Sequence, residues 1–161
     1  MSSAQTLVAR TIPSPVGPLT LVAHARALVE LSFGDAPLRH EDATVGTNAH
    51  VDQAARELDA YFAKKRRAFD VALDVGGTPF QRTVYQALLG VKFGETKSYG
   101  DIAAAIGKEK AFRAVGGANN KNPIAIIVPC HRIIGAGGSL TGYGGGLPTK
   151  EWLLAHERGE G

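Results

Sequence analysis

The chain reads as an α+β protein: a small N-terminal α/β domain with a short sheet, packed on a mostly helical C-terminal domain that contains a helix-turn-helix of winged-helix-like type. Three observations predict this. Strand-like alternation is confined to the first half, a single helical repeat sits among those strands, and the second half opens two helices with capping boxes. At 161 residues, 44% of them hydrophobic, the chain is long enough for two small domains. The boundary is predicted at the glycine pair Gly76–Gly77, giving domains of residues 1–78 and 79–161.

In the first domain, alternation predicts strands at Leu19–Ala23, at Leu28–Phe33 and at Phe69, Val71, Leu73 and Val75. Val51, Ala54, Ala55, Leu58, Tyr61 and Phe62 recur at helical spacing, and the basic run Lys64–Arg67 suits the C-terminal end of that helix. Residues 34–48 carry no period and are expected to be loop. In the second domain, Thr78-Pro79-Phe80-Gln81 supplies an N-cap, a first-turn proline and a capping-box glutamine for a helix through Leu89. Ser98-Tyr99-Gly100-Asp101 opens a short helix that Gly107 can close, and a third helix is expected from about Glu109 to Asn119. These two around a glycine turn make the helix-turn-helix candidate. On the third helix Ala111, Ala114, Val115 and Ala118 form a narrow packing stripe, opposite Lys110, Arg113, Gly117 and Lys121. That pattern fits an ordinary amphipathic helix and a DNA-reading helix equally. Ile124–Val128 reads as a buried strand, and Pro148–His156 as a closing helix.

Charge divides with the domains. Residues 1–78 hold 8 Lys/Arg against 9 Asp/Glu, and residues 79–161 hold 10 against 6, so the halves are −1 and +4. A polyanion partner fits the second half, as does a solvated surface. The opening residues lack an apolar core of signal-peptide length, and no stretch nears the roughly 20 apolar residues of a membrane span. A cytoplasmic protein without membrane contact is expected. The lone cysteine, Cys130, suits a reducing compartment and is either inert packing or a reactive thiol.

The reactive alternative has neighbours to support it. Cys130 follows the rigid run that ends at Pro129 and is followed by His131 and Arg132, basic groups of the kind that lower a thiol pKa. The glycine-dense stretch from Gly135 to Gly146 lets backbone approach a ligand closely but matches no phosphate loop, since Tyr143 stands where a Walker lysine is required. Glu157, three and four residues after Leu154 and Leu153, projects near an apolar face, where a carboxylate needs a partner; His131 is the candidate.

With these residues assembled, the chain resembles the O6-alkylguanine-DNA alkyltransferases, also called methylated-DNA-protein-cysteine methyltransferases. Val128-Pro129-Cys130-His131-Arg132 is that family's active-site signature. Tyr99, Arg113-Ala114-Val115-Gly116-Gly117, Asn122-Pro123 and Lys150–Glu157 fall in its order and approximate spacing. The likeness is strong over residues 79–157 and looser at Ile12–Leu21. It implies direct-reversal DNA repair, in which an alkyl group passes irreversibly from O6-alkylguanine in duplex DNA, and from O4-alkylthymine as well, to Cys130 after base flipping. One protein molecule is then consumed per lesion.

Position by position, the resemblance makes Cys130 the nucleophile, His131 the base acting through a water, Glu157 the residue orienting that histidine, and Asn122 the buttress between helix and site. Tyr99 would press on the extruded base and help protonate the departing guanine, and Arg113 would fill the vacated stack. Gly100, Lys110 and Lys121 would contact DNA, with Arg132 counted as a fourth basic group facing phosphate. Val128 and the Tyr143–Gly144 backbone would wall the base pocket. Some relatives hold zinc, but here there is one cysteine, and His24, His40 and His50 lack metal spacing, so no metal and no cofactor are expected. Gly144 stands where certain relatives carry a side chain, which leaves the range of alkyl groups open. A stand-alone monomer with no obligate protein partner is expected, with cooperative assembly on DNA left open. Two rival readings are a non-catalytic DNA-binding module, which would lack the cysteine, and a cysteine hydrolase, which would regenerate its thiol.

Overall fold

Short apolar runs separated by turn residues form a sheet at the start of the chain. The computed structural model describes residues 6–34, 42–135 and 146–159, and the chain divides into two compact units, residues 1–75 and 76–161. In the first unit β1 (Val8–Ile12) and β2 (Leu19–Ala23) pair antiparallel from Val8↔Ala23 to Ile12↔Leu19, across a turn where Gly17 adopts φ 97°. β3 (Leu28–Phe33) continues antiparallel beyond β2. A two-residue β4 (Thr44–Val45) adds parallel to β1, within the segment expected to be loop, so the order is β3-β2-β1-β4.

α1 (Ala49–Phe62) packs on β1, β2 and β3 through Val51, Ala54, Ala55, Leu58 and Tyr61. Its N-cap Asn48 accepts from the His50 and Val51 amides and donates to the His24 carbonyl. Ala9, Val22 and Val29 form a further cluster with Leu7 and Ala43, and β2 is buried at every position instead of alternating. The basic run lies outside the helix: Ala63 is the C-cap, Lys64 adopts φ 63°, and Arg66 bonds Asp70 and Glu57.

The strand expected at residues 69–75 does not form. Only Leu73 bridges, to Leu28, because the amides of Asp70 and Val71 donate to the buried Glu57 carboxylate at 2.9 and 3.2 Å instead of to a neighbouring strand. A side chain has taken the hydrogen bonds a ladder would need.

In the second unit α2 (Pro79–Leu89) starts at a complete capping box, Thr78 with Gln81, and buries Val84, Tyr85 and Leu88. β5 (Lys97–Ser98) leads into α3 (Tyr99–Ala105) through a second complete box, Ser98 with Asp101. Ile106 caps α3, Gly107 reverses the chain at φ 74°, and α4 (Phe112–Asn120) packs against α3 and α2. α4 begins three residues later than expected: the Ala111 amide closes a turn on the Lys108 carbonyl, and Ala111 caps without a side-chain bond. Val115, Ala118 and Asn119 are its buried residues, whereas Ala114, assigned to the packing stripe, is exposed.

Ile124–Val128 is buried throughout, as expected, but it is a turn and not a strand. The Ile127 amide bonds the Ala125 carbonyl at 2.8 Å, the Val128 amide bonds the Ile124 carbonyl at 3.0 Å, and Ile126 sits at φ 69°. A 3-10 turn, Cys130–Arg132, follows. Then β6 (Ile133–Ile134) pairs parallel with β5, and α5 (Leu147–Glu157) buries Lys150, Leu153, Leu154, His156 and Glu157. Among the described residues no helix is long and apolar enough to cross a membrane.

Candidate active site

Cys130 is placed by backbone held from several sides. Asn122 closes the buried turn: its Oδ1 accepts from the Ile124 amide at 3.0 Å, and its Nδ2 donates to the Val128 carbonyl at 2.8 Å. Beyond Pro129 the Cys130 amide donates back to the Val128 carbonyl at 2.8 Å, and Asn119 Nδ2 donates to the Cys130 carbonyl at 3.4 Å. Tyr85 fixes the end of α4 in turn, its hydroxyl donating to the Ala118 carbonyl. A β-branched residue at positive φ costs of order 1–2 kcal/mol, so Ile126 keeps its conformation only because these bonds over-determine the turn.

The 3-10 turn sends Cys130, His131 and Arg132 in successive directions, about 120° apart. His131 Nε2 lies 2.7 Å from Glu157 Oε2, and both side chains are fully buried. Arg132 grips the same carboxylate, Nε to Oε1 at 2.8 Å and Nη2 to Oε2 at 3.0 Å, while its Nη1 donates to the Val91 carbonyl. Lys150 is buried as well, its Nζ donating to the Ile133 carbonyl at 2.7 Å.

The charges follow from this packing. Burial pushes the Glu157 carboxyl up, but the His131 hydrogen bond and charge and the Arg132 fork more than reverse it, and the group stays ionised far below the usual carboxylate range. For His131 burial dominates. It lowers the imidazole pKa against the pull of Glu157, and the like charges of Arg132 and Lys150 lower it further. The ring is therefore neutral, its proton on Nε2 facing Glu157, and Nδ1 is the lone-pair nitrogen. Burial likewise lowers the Lys150 pKa, and a negative charge on Cys130 opposes that shift. Arg132 and Glu157 cancel, and among the described residues Lys150 is a further buried cation, within electrostatic reach of Cys130. Lys150 is thus a cation that favours negative charge at Cys130, and His131 keeps one buried ring nitrogen without a proton.

The structure thus brings Cys130, His131, Glu157 and Asn122 into one assembly, with Val128 buried beside it. Arg132 is corrected: it does not face phosphate but is buried and committed to Glu157. Tyr99 stands half-buried at the start of α3, its ring 3.8 Å from where a Cβ on Gly116 would lie. Gly100, Lys110, Arg113 and Lys121 are exposed around α3 and α4, and Lys110 lies in the turn before α4 instead of on it. Tyr143 and Gly144 lie outside the described residues. Among the described residues no group of three or more His, Cys, Asp and Glu side chains could hold a metal ion.

Sequence reasoning missed Lys150, Asn119, Tyr85 and the clamping role of Arg132. Lys150 was within reach, because it precedes Leu153, Leu154 and Glu157 by three, four and seven residues and so shares their buried face.

The 6-O-methylguanine DNA methyltransferase family matches the chain twice, by its ribonuclease-like domain over residues 7–75 and by its DNA binding domain over residues 79–159. A methylated-DNA–protein-cysteine methyltransferase of Mycobacterium leprae is 50% identical over 152 residues, covering 92% of this chain and 91% of the relative. The crystal structure of the Mycobacterium tuberculosis O6-methylguanine methyltransferase superposes with a TM-score of 0.89 at 49% identity, over 97% of this chain and 95% of that one. A structure of the M. tuberculosis protein in complex with DNA gives 0.88 at 51% identity, over 95% and 94%. On these matches, which span both units, the chain belongs to the 6-O-methylguanine DNA methyltransferase family.

Proposed function

We propose that this protein repairs DNA by taking the alkyl group from O6 of a damaged guanine onto Cys130, once per molecule. The observation that carries the reading is the buried set around the thiol: a neutral His131 with Nδ1 bare, fixed by Glu157, which Arg132 also grips, and the buried cation of Lys150 within electrostatic reach of Cys130. His131 Nδ1 takes the thiol proton through a water. The thiolate Sγ attacks the alkyl carbon, the carbon–O6 bond breaks, its electron pair leaves on the guanine, and a proton returned to the base completes the product. A thioether has no easy route back to thiolate, so the reaction is stoichiometric.

Duplex DNA is the partner, met by the exposed residues Lys110, Arg113 and Lys121 around α4. Residues 79–161 carry both this contact and the acceptor. Tyr99 and Arg113 serve the extrusion of the base, which costs a few kcal/mol and is offset by stacking in the pocket and in the vacated gap. The same transfer chemistry extends to O4-alkylthymine. The test is to incubate the protein with an O6-methylguanine duplex and weigh the peptide containing Cys130. One added methyl per molecule, on that peptide and at most one lesion repaired per protein, is the expected result. Repeated turnover, a methyl on another residue, or full activity in Cys130→Ser overturns the reading.

A further inference from the structure

Phe112 opens α4 and is 49% exposed. Single exposed apolar residues are ordinary on protein surfaces, and Val45, Leu89 and Leu147 are such cases. Phe112 differs in its neighbours. The Arg113 guanidinium carbon lies 5.9 Å from the centroid of its ring, within cation–π reach. Adjacent residues on a helix diverge by about 100°, so this contact requires Arg113 to fold back across the ring. One turn further on, Gly116 shares the face of Phe112, and against Gly116 rests the ring of Tyr99. Two aromatic rings and a guanidinium therefore lie along one edge of α4, with Lys110 and Lys121 exposed at its two ends. Aromatic and guanidinium planes stack on unpaired bases, and apolar side chains wedge open base steps.

We propose that Phe112 is a second wedge: its ring, with Arg113 drawn across it, enters the duplex beside the extruded nucleotide and stacks on the flanking base. The proposal rests on the alkyl-transfer reading above. It makes repair sensitive to the flanking base, because a purine offers the ring more stacking surface than a pyrimidine.

The test compares wild type, Phe112→Ala and Phe112→Trp in three measurements: single-turnover repair of an O6-methylguanine duplex, transfer from free O6-benzylguanine, and thermal melting. The free base needs no extrusion, and a half-exposed side chain contributes little to the fold. Phe112→Ala should therefore slow duplex repair by roughly 5- to 150-fold, the range found for losing one base–aromatic stack, with free-base transfer and melting unchanged; Phe112→Trp should retain duplex repair. A fourth measurement binds each variant, in a Cys130→Ser background, to a duplex with 2-aminopurine beside the lesion, and Phe112→Ala should abolish the stacking-dependent fluorescence change. Unchanged duplex repair and fluorescence in Phe112→Ala, or equal losses on duplex and free base, overturns the proposal. Absence of any transfer to Cys130 in wild type refutes the alkyl-transfer reading instead, and the fluorescence measurement still decides for or against Phe112.

Discussion

Glu157 serves two residues at once, so its substitution has two consequences that can be separated. Glu157→Gln can still accept from His131 but no longer neutralises Arg132. Leaving a buried charge unpaired costs about 3–5 kcal/mol, and loss of an orienting group slows proton transfer on the order of 10²-fold. We expect a lowered melting temperature and slowed single-turnover transfer together. Adding Arg132→Met should recover much of the stability and none of the rate; recovery of both would mean that Glu157 acts only on the fold. Lys150→Met removes a cation that favours negative charge at Cys130, so the pH–rate profile for free O6-benzylguanine should move to higher pH, and an unmoved profile would separate Lys150 from the thiol. At this scale the sequence was partly legible. Leu153 and Leu154 gave away the inward direction of Glu157, and adjacency to Cys130 gave His131. Arg132 was misread because a guanidinium beside a nucleophile in sequence looks like surface charge until a carboxylate 25 residues away is seen to meet it.

Helices that advertise their ends were legible as elements. The boxes Thr78/Gln81 and Ser98/Asp101 are local chemistry and form as read. The two mistaken strands share a cause. Apolar, β-branched residues show that a segment is buried, but only the partners of its backbone amides decide whether it is a strand, and those partners are Glu57 for residues 70–71 and Asn122 for residues 124–128. Asn122→Ala therefore leaves the Ile124 amide unpaired in a buried turn, at about 1–3 kcal/mol, and takes from the Val128 carbonyl one of its two donors, the Cys130 amide remaining. We expect transfer to free O6-benzylguanine and to duplex to fall in parallel, since the thiol itself is displaced. A selective loss on duplex would assign Asn122 to DNA contact. Gly117 stands apart: a Cβ there would meet nothing within 4 Å. Gly117→Ala should stabilise the helix by up to about 1 kcal/mol and so raise the melting temperature slightly, and a lowered melting temperature would show that the open space is not available.

The molecule as a whole presents fewer cations to a duplex than its sequence suggests, because Arg132 and Lys150 are turned inward. With Lys110, Arg113 and Lys121 as phosphate contacts, affinity for undamaged duplex should fall with salt at a log–log slope of about −3, near −0.9 per contact. A slope near zero would remove the α4 face from DNA binding. Acid should destabilise the fold in two stages. Folded His131 and Glu157 both have lowered pKa values, so the unfolded chain binds more protons, and stability falls with pH, first below the ordinary histidine value of about 6.5 and again below the carboxylate range. Melting temperatures between pH 8 and 3 check this, and a flat profile would contradict the buried pair. A last consequence lies in the 3-10 turn. None of the bonds joining His131, Arg132, Glu157 and the Val91 carbonyl involves the sulfur of Cys130. The spent protein therefore keeps these hydrogen bonds around a chemically dead atom, and its imidazole Nε2–H resonance should persist in the NMR spectrum after alkylation, so that exhaustion resembles a fired cartridge still seated in its chamber.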